Sequence, residues 1–152
     1  MVREKSSCGF AARTNNAFGV ILTGPPKAAC QQLGIIAQVQ RDFTAAEKWY
    51  LKSLEIEEKQ RNEHGAALTY MNLGCIARDT GRFDEAAGWY IRSIQILTKY
   101  NDPYHVEMGI RNFMRLFQQC PPDMRETLKS MWADAGLGEF PPIPDADDIT
   151  EA

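Results

Sequence analysis

Apolar residues in the central part of the chain recur every three or four positions, which is the spacing of one face of an α-helix. The first such run lies between Lys27 and Gln40, and its apolar or small residues are Ala29, Cys30, Leu33, Ile36 and Ala37. The same spacing recurs along the chain as far as Ala135. The pattern predicts six amphipathic helices: 27–40, 44–59, one that includes 67–77, 84–100, 103–119 and 123–135.

Short breaks separate these runs. Arg41-Asp42 follows the first run, 60–62 the second, Thr80-Gly81 the third and Asn101-Asp102-Pro103 the fourth. Polar residues, glycine and proline favour turns at such places. Because so few residues join consecutive helices, each helix is expected to fold back against the one before it.

The chain repeats itself at an offset of 40 residues. The segments "QLGIIAQVQRDFTAAEKWYLKS", 32–53, and "NLGCIARDTGRFDEAAGWYIRS", 72–93, share Leu-Gly, Ile-Ala, Phe, Ala, Trp-Tyr and Ser at matching places without a gap. A constant offset over that many identities indicates a duplicated structural unit. One helix pair cannot bury its own apolar face, so stacked copies at the same phase would cover each other.

The repeated residues resemble those of the tetratricopeptide repeat. In the second unit they are Tyr70, Leu73, Gly74, Ala77, Gly81, Phe83, Ala86 and Tyr90, and in the first Leu33, Gly34, Ala37, Phe43, Ala46 and Tyr50. The period of 40 rather than about 34 is similar to the longer-repeat variants of that family. HEAT and armadillo arrays have periods of about 40–47, but the Leu-Gly, Ala and aromatic pattern favours the tetratricopeptide repeat.

The resemblance implies an all-α solenoid of antiparallel helix pairs, with two good repeats and a degenerate C-terminal capping pair. The predicted divisions are 1–22, unassigned; a helical domain at 23–137, made of repeat 1 (27–62), repeat 2 (63–102) and the cap (103–137); and a disordered acidic tail at 138–152. Two good repeats are close to the minimum for a stable stack, so an exposed end is expected. Residues 1–26, a second copy of the chain in a homo-oligomer, or a partner could cover it.

Composition and charge exclude several classes of function. A formal net charge of −3 argues against a nucleic-acid partner. The run Val20-Ile21-Leu22 is too short for a signal-peptide core, and no window is apolar enough for a membrane span. His64 and His105 are interpreted as surface or cap residues, with no neighbouring cysteine or paired carboxylate. We therefore expect a cytoplasmic protein with reduced thiols, no metal, no cofactor and no catalytic activity.

Members of the resembled family commonly bind extended peptides on the concave surface formed by the first helix of each pair. An amide precedes each Leu-Gly or its equivalent, and a row of amides could bond the backbone of a bound strand. Arginines on the same surface could hold acidic groups of a peptide. For both sets the alternative is an ordinary solvated surface. The candidate ligand-binding residues are Gln32, Asn72, Asn112, Gln31, Met71, Arg78, Arg111 and Arg115.

The predicted function is a non-catalytic protein–protein interaction module that binds an extended peptide or a partner protein in this concave groove. The alternative is a regulatory or sensor piece of a larger signalling ATPase or of a tetratricopeptide protein of the transcription-regulator type. For this chain we expect no cofactor, no membrane and no nucleic-acid partner.

Overall fold

A computed structural model describes residues 25–143, which are helical apart from short links and contain no strand. The predicted segment 1–22 and residues 144–152 of the predicted tail lie outside that range. The helices are α1 Lys27–Val39, α2 Phe43–Lys59, α3 Glu63–Asp79, α4 Phe83–Lys99, α5 Pro103–Gln119 and α6 Arg125–Asp134, with a 3₁₀ turn at Pro122–Met124. Consecutive helices from α1 to α5 pack against each other, and α6 packs against α4 and, through side chains, against α5. The predicted all-α helix-pair fold is confirmed.

The first four links each contain three residues and share one backbone geometry. In each link the N–H of the middle residue donates to the carbonyl three residues earlier, and the next N–H donates to the carbonyl five residues earlier. In the second link these bonds run from Arg61 to Glu58 (3.0 Å) and from Asn62 to Glu57 (2.9 Å). This is the Schellman closure of a helix, which needs a left-handed residue in the middle. The middle residues have positive φ angles: Arg41 61°, Arg61 53°, Gly81 79° and Asn101 53°.

The last residue of each link also begins the next helix. In three of the four links its side chain accepts a bond from the backbone N–H three residues further on, at 3.0–3.2 Å, and so caps the helix. The three capping residues are Asp42, Asn62 and Asp102. Each of the helices α2 to α5 has 17 residues. Two such helices with their three-residue links give the 40-residue period.

Within each of the first two pairs, a glycine of the first helix lies against a tyrosine of the second. A Cβ atom on Gly34 would lie 2.7 Å from the ring of Tyr50, and one on Gly74 would lie 2.6 Å from the ring of Tyr90. Both tyrosines are buried. The glycine of the Leu-Gly pair is therefore required by close packing, because any larger side chain would collide with the ring.

The C-terminal pair packs differently. Helix α5 carries bulkier side chains, and its Phe113 and Phe117 are buried together with Trp132 of α6. Phe140 packs on the same group, with its ring centroid 5.0 Å from that of Phe117 and 5.9 Å from that of Trp132. Packed structure thus extends past residue 137, where the sequence interpretation ended the helical domain.

Helix α1 forms the other end of the described stack and packs chiefly on α2. It exposes four large apolar side chains, Leu33, Ile35, Ile36 and Val39. The three described cysteines, Cys30, Cys75 and Cys120, carry free thiols. Among the described helices, none combines the length and apolar character that a membrane-spanning segment needs.

Gly81→Ala tests the link geometry. No atom lies within 4 Å of the place where its Cβ would stand, so only backbone strain should act, and the free energy of unfolding should fall by about 1–2 kcal/mol. Gly88→Ala is the matched control, because its Cβ also meets nothing within 4 Å but it lies inside helix α4. That change should stabilise the protein by up to about 1 kcal/mol. Urea denaturation measures both, and equal effects would contradict the assigned link geometry.

Candidate functional site

The face formed by α1, α3 and α5, here termed the first-helix face, carries the predicted row of amides. Gln32 is exposed, whereas Asn72 and Asn112 are half-buried. These three residues, termed the amide row, occupy the same place in successive repeats because the offset is 40. Helices α3 and α5 contact each other directly. Within residues 25–143, the amide side chains of the row form no hydrogen bond, so their donors and acceptors are free to meet a ligand.

The residues just before the three amides have different surroundings. Gln31 donates from Nε2 to Oε1 of Glu57 at 3.4 Å. Met71 is only 5% exposed and packs near Gly109 of α5. Arg111 is exposed and pairs with Glu107, four residues earlier, at 3.0 Å. Of these predicted site residues, Met71 therefore offers a ligand almost no surface, and the other two already have partners.

The remaining two predicted arginines also differ from each other. The guanidinium of Arg78 is held by Asp79, with Nη2 2.8 Å from Oδ1, and its Nη1 is buried without a hydrogen-bond partner in the described part of the chain. An acceptor that reached Nη1 would remove the cost of leaving a buried donor unpaired. Arg115 is exposed and forms no ion pair with any of residues 25–143. Arg115 is thus the predicted arginine with the most available charge.

A buried carboxylate beside this face was missed by sequence reasoning. Glu57 has no exposed surface and lies 3.1 Å from Nζ of Lys27. Thr69 donates its hydroxyl to the other carboxylate oxygen at 2.7 Å, and Gln31 adds the weaker bond described above. A charge in the interior is stable only when such partners surround it. Glu57 therefore joins α1, α2 and α3 through polar bonds.

The 40-residue offset contained a signal for this cluster. Four polar residues stand where the next repeat has buried apolar or small residues: Lys27, Gln31, Glu57 and Thr69 align with Ala67, Met71, Leu97 and Gly109. The first junction, between repeats 1 and 2, and the second junction, between repeat 2 and the cap, thus share a backbone arrangement. They differ in the chemistry of the side chains that fill them. A polar residue aligned with a core position is the pattern that identifies the cluster.

His64 and His105 are partly exposed, as expected, but the expectation that no carboxylate lies beside them is wrong. His64 Nε2 lies 2.8 Å from Oδ2 of Asp102, and His105 Nδ1 lies 2.7 Å from the same oxygen. These two hydrogen bonds hold the pKa of Asp102 at about 2, below its ordinary value of 3.8. His64 and Asp102 are 38 residues apart, so their contact depends on how α3 packs beside the link between α4 and α5.

Comparison with known families agrees with the geometry. A family model described as tetratricopeptide repeat matches residues 27–106, which is more than half of the chain. The match covers α1 to α4 and the start of α5, and so includes both units that carry the Leu-Gly and Trp-Tyr pairs. Comparisons with curated proteins and with solved structures gave no significant match.

Changes to the Glu57 cluster should have unequal effects. Lys27→Met leaves a fully buried carboxylate without its cation, so we expect a loss of about 2–4 kcal/mol in the free energy of unfolding. Glu57→Leu restores the residue type of Leu97 and leaves Lys27, which is partly exposed, free to turn to water. Its cost should be about 1–2 kcal/mol, because the buried hydroxyl of Thr69 loses its acceptor. Urea denaturation gives both values, and a larger cost for Glu57→Leu than for Lys27→Met would contradict this account.

Proposed function

Because the chain belongs to the tetratricopeptide repeat family, whose repeats are in general non-catalytic protein–protein interaction modules, we propose that it binds an extended segment of a partner protein along the first-helix face. The amide row carries this proposal. Asn72 and Asn112 are half-buried on two helices that touch, and neither is used in bonds within the described residues.

The chemistry of an amide suits an extended backbone. A strand presents N–H and C=O groups, and an asparagine side chain can donate to one and accept from the other. Since Asn72 and Asn112 occupy the same place on neighbouring helices, a strand that crosses α3 and α5 could meet both. Such bonds do not depend on the side chains of the ligand, so they favour an extended conformation rather than one sequence.

Arg115 adds a preference for acidic residues in the ligand. It follows Asn112 on α5 by three residues, which places it about one turn away on a nearby face. A carboxylate of the ligand would form a charge-assisted bond with this free guanidinium. Arg111 contributes less because Glu107 already pairs with it. The proposed partner segment is therefore extended and carries an acidic side chain where it crosses α5.

Asn72→Ala and Asn112→Ala test the role of the amide row. A peptide is first selected against the wild-type protein from a display library of random sequences, and its affinity is then measured by fluorescence anisotropy. Each change removes one or two hydrogen bonds, worth about 0.5–1.5 kcal/mol each, so the affinity should fall by about two- to twelvefold for each bond lost. Gln60→Ala is the control, since this exposed amide lies in the link after α2. Full affinity in the Asn72 and Asn112 double variant would contradict the proposal.

Arg115→Ala tests the charge preference. For an acidic peptide selected in the same way, we expect a loss of up to about 1 kcal/mol, or about fivefold in affinity, because the pair is exposed to solvent. The loss should shrink as salt is added. Arg111→Ala serves as the matched control and should weaken binding less. If the affinity is the same in both variants and in the wild type, acidic groups do not bind here.

A further inference from the structure

The cluster of His64, Asp102 and His105 joins the first turn of α3 to the link between α4 and α5, away from the amide row. We propose that these three side chains bind a divalent transition-metal ion of the Zn²⁺ type. No part of the proposed peptide binding uses them.

The donor atoms suit such an ion. Two imidazole nitrogens and one carboxylate oxygen all lie within 4.8 Å of one another. Imidazole ligands select zinc and related transition metals, whereas Mg²⁺ and Ca²⁺ prefer oxygen ligands. Zn²⁺ binds nitrogen at about 2.0–2.1 Å and oxygen at about 2.0–2.2 Å. Each nitrogen now lies 2.7–2.8 Å from the oxygen, so a modest opening of the cluster would place an ion between them.

The surrounding structure holds the three side chains in place. Asp102 caps α5 by accepting a bond from the backbone N–H of His105 with Oδ1 at 3.2 Å, which leaves Oδ2 facing both imidazoles. The ring of His64 packs edge-on against Tyr100, at 5.7 Å between centroids. The ring of His105 packs in the same way against Tyr104, at 4.9 Å. A metal ion would therefore meet ligands that are already close to their bound positions.

The cluster is also open enough to take an ion from solution. The side chains of His64 and His105 are 38% and 30% exposed, so a water molecule could complete four ligands, as in zinc sites with three protein ligands. The capping of α5 does not require the histidines. At the aligned position one repeat earlier, Asn62 caps α3 through the N–H of Gly65 with the same geometry and without imidazoles. The two histidines beside Asp102 are therefore not needed for capping the helix in this repeat.

Binding of the metal ion should stabilise the second junction, between repeat 2 and the cap. The ligands come from α3 on one side and from the link and first turn of α5 on the other. An ion that binds only the folded arrangement stabilises it in proportion to its concentration. Zinc should thus raise the melting temperature of the protein.

The test is a titration of the full chain with zinc chloride, in which NMR monitors the ¹⁵N signals of the imidazoles. The chain has only two histidines, so both can be assigned without ambiguity. We expect Nε2 of His64 and Nδ1 of His105 to shift together and saturate at one ion per chain, with a rise in melting temperature. Magnesium chloride should cause neither change.

The matched variants are His64→Gln and Asp102→Asn. Asparagine can keep the cap on α5 but removes the charged ligand. Each variant should bind zinc at least about tenfold more weakly, since loss of even an outer partner of a metal ligand costs about 10–100-fold. The four cysteines of the chain could also bind zinc, and the variants leave them intact. Unmoved imidazole signals, or an equal zinc response in the wild type and both variants, would overturn the proposal.

Discussion

A left-handed residue in the middle of a three-residue link is the constraint on which the rest of this structure depends. It closes one helix by the Schellman bonds, and the next residue is the N-cap of the following helix. The three-residue link therefore leaves the two helices little freedom to change their relative orientation. Helices of 17 residues joined in this way repeat every 40 residues, so equivalent side chains return at the same phase. The amide row follows from that phase, and Asp102 faces both histidines because it serves as link residue and cap at once.

The two junctions between repeats show how one backbone arrangement tolerates different chemistry. At the first junction Glu57 is buried with Lys27 and Thr69, whereas Leu97 takes the same place at the second. A buried ion pair gives little net stability compared with an apolar core, yet it is costly to break from one side. Loss of Lys27 alone is therefore expected to be costly at the first junction. The second junction instead places its polar cluster outside the core, at His64 and Asp102.

The fold could be predicted from the sequence because helical period, turn residues and the 40-residue offset are local or repeated features. The amide row followed from the same offset. The contacts that sequence reasoning missed join different helices across the packing: Glu57 meets Lys27, and His64 meets Asp102. A helical pattern tells which face a residue lies on but not which residue faces it. Met71 illustrates the limit, since it lies on the predicted face yet is buried, with its methyl group close to Gly109 of α5.

The central claim is that the repeated link brings Asn72 and Asn112 to one binding surface. The most direct measurement follows the side-chain NH₂ signals of these two residues by NMR while a peptide selected against the protein is added. The account predicts that both signals shift, with the same midpoint, because one strand meets both amides. If the two signals stay in place while signals from α2, α4 or α6 move, or if they respond with different midpoints, the partner binds elsewhere and the claim is wrong.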